Sequence, residues 1–303
     1  MTRILIHLLI LLILLPGPVA AEPDFAFSVL AVQSLRVKPY DLAMEGFESA
    51  FPGKIRRIFT EKKPEDPLWD EIEKNKPDLI LAIGLSALTG VLTVKDIPVL
   101  YLMVLDPPPE VQEASNITGI SMSIAPDVQL DIIRKTMPGV KTIGLLYDPS
   151  KSPPFVALAR EAAPGRNLIL LDRPAENPKD VTAQFQILKD RMDLFWMMPD
   201  PRLLSGENME LLHLLSMESR IPMVTFSEKF LELGSLMSIS LDPFDVGRQG
   251  ANLARKILLK PREAMGGCVY AEKPVVTVNW KIREKLNIFM DSIEAQQIET
   301  LKK

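Results

Sequence analysis

The sequence predicts an α/β protein built as two doubly wound lobes, each around a parallel sheet. Three observations carry this. Runs rich in Val, Ile and Leu are apolar at nearly every position, the pattern of strands covered on both faces. Helical spacing of apolar residues fills the gaps between consecutive runs, as βαβ units require. The alternation occurs as two series of similar length in a chain of 303 residues, which suits two lobes of roughly 100–150 residues each.

The chain opens on an address. Arg3 precedes Ile4 to Leu15, apolar apart from His7; Pro16-Gly17-Pro18 break the run, and Val19-Ala20-Ala21 precede Glu22. This pattern predicts a secretory signal peptide over residues 1–21, cleaved after Ala21 and too short to be a good membrane span, with an uncleaved anchor as the lesser alternative. No Cys stands at the cleavage site to take a lipid, and no later apolar run is long enough to span a bilayer. A soluble, exported, periplasmic protein is expected.

The first strand series is Phe25–Val32, Ile55–Phe59, Asp78–Ile83 and Ile97–Val104. Asp106-Pro107-Pro108-Pro109-Glu110 follows as a linker, because three prolines fix φ and favour a stiff, extended path. Asn116 to Ser121 reads as a crossover segment. Pro126 suits the first turn of a helix running to about Met137, with Leu130, Ile133 and Met137 on one face and Pro138-Gly139 ending it. The second series is Thr142–Tyr147, Leu168–Leu171, Leu194–Met198 and Pro222–Phe226. Asp242-Pro243 then starts a helix to about Lys260. Val246, Gly250, Leu253 and Ile257 recur along it, and Gly247, Ala251 and Ala254 form a second ridge small enough for close packing. A further strand, Val275–Trp280, and a helical tail, Lys281–Ile288, close the pattern.

Composition excludes several classes of function. A formal charge of −4 without a basic patch argues against a nucleic-acid partner. Cys268 is the only cysteine, so no internal disulfide forms, and it reads as a small buried residue. His213 is the only histidine beyond residue 21 and lies in a helical run, Met209–Leu215, where packing or a surface position outweighs a catalytic triad. One Cys and one His leave no usual zinc cluster, so no metal and no cofactor is expected.

Several fragments carry a family resemblance. Asn116-Ile117-Thr118-Gly119-Ile120-Ser121, Gln129-Leu130 with Ile133, and Lys141-Thr142-Ile143-Gly144-Leu145-Leu146-Tyr147-Asp148-Pro149-Ser150 are similar to N-x-T-G-[VI]-S, Q-L-x-x-I and K-x-[IV]-G-[VL]-L-Y-[ND]-P-S. Those motifs belong to the substrate-binding components of ABC importers of the tryptophan/tyrosine-binding type. Tyr40–Phe47, Pro77–Gly84, Asp193–Asp200, Glu232–Leu236 and Gly247–Ala251 resemble further motifs of the same family, in the same order. The resemblance implies the type I periplasmic binding protein fold, whose chain crosses between lobes three times. It places lobe 1 at residues 22–107 plus 240–265 and lobe 2 at 108–239 plus 266–303, with the late helix returning to lobe 1 and the last strand to lobe 2. The sequence departs from the family at strand ends. Relatives usually place Thr or Ser after the A-I-G strand and S-D-P-V after the next. Here the words are Gly84-Leu85-Ser86 and Leu105-Asp106-Pro107. The first strand ends Gln33-Ser34-Leu35, followed by Arg36 and Lys38. The lobe 1 side of the cleft is thus less polar, which weighs against an amino-acid ligand.

The resemblance implies an exported solute-binding protein with no chemistry of its own. It captures a small ligand, an amino acid or a less polar solute, by hinge closure and delivers it to an ABC permease of the inner membrane; a monomer is expected. Alternative readings are a ligand-sensing periplasmic partner of a receptor or sensor kinase and, less favoured, an exported hydrolase. Ligands of open α/β sheets sit at the carboxyl ends of strands, which makes Ser34, Gly84, Ser86, Asp106, Tyr147, Asp148, Ser150, Asp200 and Ser227 the candidates. Ser86 and Ser150 would offer hydroxyls and helix-start amides to a carboxylate. Asp106 or Asp200 would pair with an ammonium, and Tyr147 would supply an aromatic wall. For each Ser, and for Asp200, a helix cap is the competing reading.

Overall fold

The computed structural model describes residues 27–60, 67–200, 203, 205–291 and 298–300. The expected signal peptide lies outside the described residues. The chain first builds β1 (Ser28–Gln33), α1 (Lys38–Ala50), β2 (Lys54–Phe59), α2 (Pro67–Asn75), β3 (Leu79–Ile83), α3 (Leu85–Val91), β4 (Val99–Leu102), α4 (Glu110–Glu113) and β5 (Ile117–Ile124). It continues with α5 (Pro126–Thr136), β6 (Thr142–Tyr147), α6 (Pro153–Ala162), β7 (Ile169–Pro174), α7 (Asp180–Leu188), β8 (Leu194–Trp196), α8 (Gly206–Glu218), β9 (Met223–Thr225) and β10 (Met237–Leu241). The last part comprises α9 (Pro243–Leu259), α10 (Pro261–Ala264), β11 (Gly267–Ala271), β12 (Pro274–Val278), α11 (Trp280–Leu286) and β13 (Ile298–Thr300).

Two sheets result. The first has the order β11-β5-β4-β3-β1-β2 and is parallel throughout. The second has the order β13-β12-β10-β9-β8-β6-β7. It is parallel except where β12 meets β10. The chain therefore crosses between sheets three times: after β5, after β10 and between β11 and β12.

Continuous apolar strands form because both faces are covered. In the first lobe, Val29, Ala31, Leu79 and Leu81 pack with Phe47 of α1 and Val246, Ala251 and Ile257 of α9. The alternate residues Leu30, Val32, Ile80 and Ala82 pack with Leu68 and Ile72 of α2 and Leu88 and Val91 of α3. The second lobe repeats the scheme, with Ile143, Leu145 and Trp196 against α5 and α6 on one face. Leu146, Phe195 and Met223 meet α7 and α8 on the other. The small ridge read in the late helix is where α9 meets α1. A Cβ on Gly247 would stand 2.0 Å from the Ala43 carbonyl oxygen, and one on Gly46 would stand 2.0 Å from that of Phe244. Only glycine permits this backbone-to-backbone approach, because any side chain would occupy the space of a carbonyl that cannot move aside.

Three expectations are corrected. The segment beginning at Asn116 is not only a crossover: Ile117–Ile124 is β5, paired with β4, and β11 pairs with β5. The first sheet therefore runs past residue 107 and is rejoined by Gly267–Ala271, both of which the sequence reading gives to lobe 2. Ile117, Ile120 and Ile124 are buried, yet the polar Thr118, Ser121 and Ser123 blur the apolar run that marks a strand. Second, β12 runs antiparallel to β10. Only Glu272 and Lys273 separate it from β11, so the chain passes directly from the edge of the first sheet into the second. Third, Cys268 is exposed, because β11 is an edge strand. His213 is buried inside α8, where Nδ1 lies 2.6 Å from the Met209 carbonyl and Nε2 lies 2.8 Å from Ser235 Oγ.

Candidate functional site

On the first lobe, β1 ends one residue before Ser34. That residue is buried, and its Oγ accepts the Ala87 backbone N–H at 2.8 Å. Gly84, between β3 and α3, has φ 87°, and a Cβ there would stand 2.5 Å from the Tyr40 ring and 2.8 Å from Ser34 Oγ. Ser34 and Gly84 thus form one packed corner, with the α3 start fixed against β1. Ser86, on the first turn of α3, is exposed. Next to this corner, buried Gln33 donates to the Leu35 carbonyl at 2.6 Å and to Asp41 Oδ1 at 3.1 Å, while Arg57 donates to Gln33 Oε1 at 2.6 Å and pairs with Asp41. The Gln33 hydrogen bond, then Arg57 and Arg36, holds the Asp41 carboxyl below its ordinary range. The Arg36 guanidinium lies 3.7 Å from the centre of the Phe59 ring, a cation–π stack.

On the second lobe, Asp148 and Asp200 are both buried and build the loop after β6. Asp200 Oδ2 accepts the Asp148 N–H at 2.8 Å and the Ser152 hydroxyl at 2.9 Å. Asp148 Oδ1 accepts both the Ser150 N–H, at 2.8 Å, and its hydroxyl, at 2.7 Å. Ser150, though exposed, is thus tied to Asp148, and α6 begins Pro153-Pro154, two residues without an N–H to offer an anion. Tyr147 closes β6, and its hydroxyl accepts from Arg160 Nη2 at 3.3 Å, with Arg160 in turn paired to Asp172. This anchors the ring along α6. Ser227, half-buried, precedes the 3-10 turn Glu228–Phe230 without capping it through its side chain.

The two groups meet at one point. Lys151 Nζ lies 2.8 Å from Asp106 Oδ2. Asp106 follows β4 in the first sheet and Lys151 follows β6 in the second, so the ion pair joins the carboxyl edges of both sheets. A second tie lies deeper. The Trp196 indole N–H donates to Gln129 Oε1 at 3.0 Å, and Gln129 Nε2 donates to the Ile124 carbonyl at 2.7 Å, so α5 links β8 to the end of β5. Residue types alone did not single out Lys151, Arg36 or Gln33. The readable signal for Lys151 was its place directly after Asp148-Pro149-Ser150, and for Arg36 its place directly after a strand end. Among the described residues no three His, Cys, Asp or Glu side chains group as metal ligands, and no helix is long and apolar enough to cross a membrane. A groove of about 710 Å³ lies between α9 and the edge strand β11, lined by Asn252, Lys256, Val269 and Tyr270 among others; none of the candidate residues lines it.

Comparison with known proteins agrees with this architecture. The model of the ABC transporter substrate binding protein family matches residues 67–298. A curated relative, the tyrosine-binding protein of Clostridioides difficile (strain R20291), is 24% identical over 238 residues, covering 72% of this chain and 68% of its own. The ligand-free, open structure of a substrate binding protein with adhesive properties from Clostridium difficile superposes with a TM-score of 0.67 at 19% identity, over 91% of this chain and 99% of that one. An ABC domain in complex with L-Trp from Streptococcus pneumoniae gives 0.58 at 19% identity, over 90% of this chain and 99% of that one.

Proposed function

Because this chain belongs to the ABC transporter substrate binding protein family, we propose that it is an exported solute-binding protein. In this reading it captures a small ligand between its lobes and delivers it to an ABC permease. The relatives named for tyrosine and tryptophan suggest the size of that ligand: an aromatic amino acid or a less polar solute of similar bulk. The observation that carries the reading is the Asp106–Lys151 pair at 2.8 Å. Each partner follows a strand of a different sheet, so the contact supports a cleft between the two carboxyl edges, where ligands of such sheets bind. Ser34, Gly84, Ser86 and Asp106 on one side, and Tyr147, Asp148, Ser150, Asp200 and Ser227 on the other, are proposed to shape it. Several of them act by holding the loops rather than by touching ligand. Closure is then a population shift, driven by contacts that ligand makes only with the closed form. The role assigned is binding, not catalysis.

A thermal-shift screen of amino acids, small carboxylates and nucleosides tests this, since a ligand that binds the native state raises its melting temperature. A hit that also contracts the protein in solution scattering supports capture by closure. A complete absence of hits across the library overturns it. Export is tested separately by N-terminal sequencing of the secreted chain, with Glu22 as the expected first residue and a retained Met1 in a membrane fraction as the refuting result.

A further inference from the structure

We infer that the cleft takes a small carboxylic acid with an apolar body and no ammonium group, received by Arg36. The inference rests on the solute-binding reading above and narrows its ligand. Three observations converge on it. The first is apolar surface at the strand ends of the first lobe. Leu35, Leu85 and Leu105 follow β1, β3 and β4, which are neighbours in the sheet, and they are 59%, 48% and 43% exposed. Three large aliphatic side chains left in water along one sheet edge are more than scattered exposure, and an apolar ligand body would remove them from solvent.

The second observation concerns the acids. A ligand ammonium taken out of water needs a carboxylate partner, or the buried charge is costly. The Asp106 carboxylate already holds the Lys151 ammonium at 2.8 Å. Asp148 and Asp200 are spent on Ser150, Ser152 and the Asp148 N–H inside their own loop. Lys151 thus occupies the place that a ligand ammonium would otherwise fill.

The third observation is the cation. Arg36 is exposed, its Cζ lies 3.7 Å from the centre of the Phe59 ring, and no hydrogen bond from it is present among the described residues. Arg57, the neighbouring guanidinium, forms an ion pair with Asp41, whereas Arg36 acts on that carboxylate only through its field and forms no ion pair among the described residues. A fixed planar guanidinium suits a carboxylate, which it binds through two parallel N–H groups.

Calorimetry on the mature chain with matched probes tests the inference: 3-phenylpropionate, phenylalanine and 2-phenylethylamine as one set, hexanoate and norleucine as another. An acid of at least one set should bind tenfold or more tighter than its amino-acid counterpart, the order of magnitude expected for an ammonium left without a partner, and the amine should not bind. Arg36→Gln should weaken the acid by roughly tenfold or more while the unfolding midpoint falls only by the small amount that loss of an exposed cation–π contact costs. Lys151→Ala should free Asp106 and raise the affinity for phenylalanine or norleucine without raising that for the acids. The inference is overturned if an amino acid binds the wild type as tightly as its acid, or if Arg36→Gln leaves acid affinity unchanged. Binding by none of the acids also overturns it, and the wider library screen then decides separately whether the protein binds a solute at all.

Discussion

Gly247 of α9 lies against the Ala43 carbonyl of α1, so close that a Cβ would come within 2.0 Å of the oxygen. The contact fixes the helix that returns from the second sheet onto the first. Gly247→Leu should therefore force the two backbones apart and lower stability by about 1–3 kcal/mol or more. Urea denaturation of both proteins measures it, and an unchanged midpoint would show that the helices do not pack this way.

The Trp196–Gln129–Ile124 relay should behave as one unit. Gln129→Leu is close in volume but leaves the buried indole N–H and the Ile124 carbonyl without their partner. The expected loss is about 1–3 kcal/mol of unfolding free energy. Because α5 joins the two sheets, amide exchange at residues 125–136 should quicken as well. Protection equal to wild type there would argue against the relay.

Asp200 accepts both the Asp148 N–H and the Ser152 hydroxyl. Asp200→Ala should cost roughly 1.5–3 kcal/mol, the range for hydrogen bonds to a charged group. Asp200→Asn, which keeps one acceptor oxygen, should cost less. Thermal denaturation of the pair gives the ranking, and equal losses would contradict the double-acceptor role.

Burial holds the His213 imidazole below its usual value of 6.5, against smaller opposing hydrogen bonds. The folded state refuses a proton that the unfolded chain accepts, so this histidine's contribution is complete above pH 6.5 and is lost as the pH falls below it. As the pH falls below 6.5 the wild type should lose stability through this group, and the loss levels off below the depressed folded-state value. His213→Gln removes the titration and should flatten that part of the profile. Identical slopes in denaturation curves at pH 7, 6 and 5 would refute the assignment.

Much of the site's frame was legible in the sequence, and much of its wiring was not. The strand ends near Ser34, Gly84 and Tyr147 were readable because apolar runs stop where backbone groups leave the sheet. The partners of those residues were not. Ser150 read as a hydroxyl for a ligand carboxylate, and the sequence did not show that this hydroxyl donates to Asp148, because a buried carboxylate takes the nearest donors available. Tyr147 read as a cleft wall, and the sequence did not show that Arg160 donates to its hydroxyl. The strand β5 was not legible because the polar Thr118, Ser121 and Ser123 interrupt its apolar pattern.

The sequence by itself determined the α/β class, the two series of strands, the return of a small-faced late helix and the family resemblance. Each of these rests on local patterning: the spacing of apolar residues, the punctuation by proline and glycine, and short motifs in order. Only the tertiary structure decided that β5 and β11 belong to the first sheet, that β12 runs antiparallel, and that Lys151 meets Asp106 across the lobes. Those facts depend on which distant segments are brought together, and pairing between residues far apart in the chain is set by the packing of the whole rather than by any window of sequence.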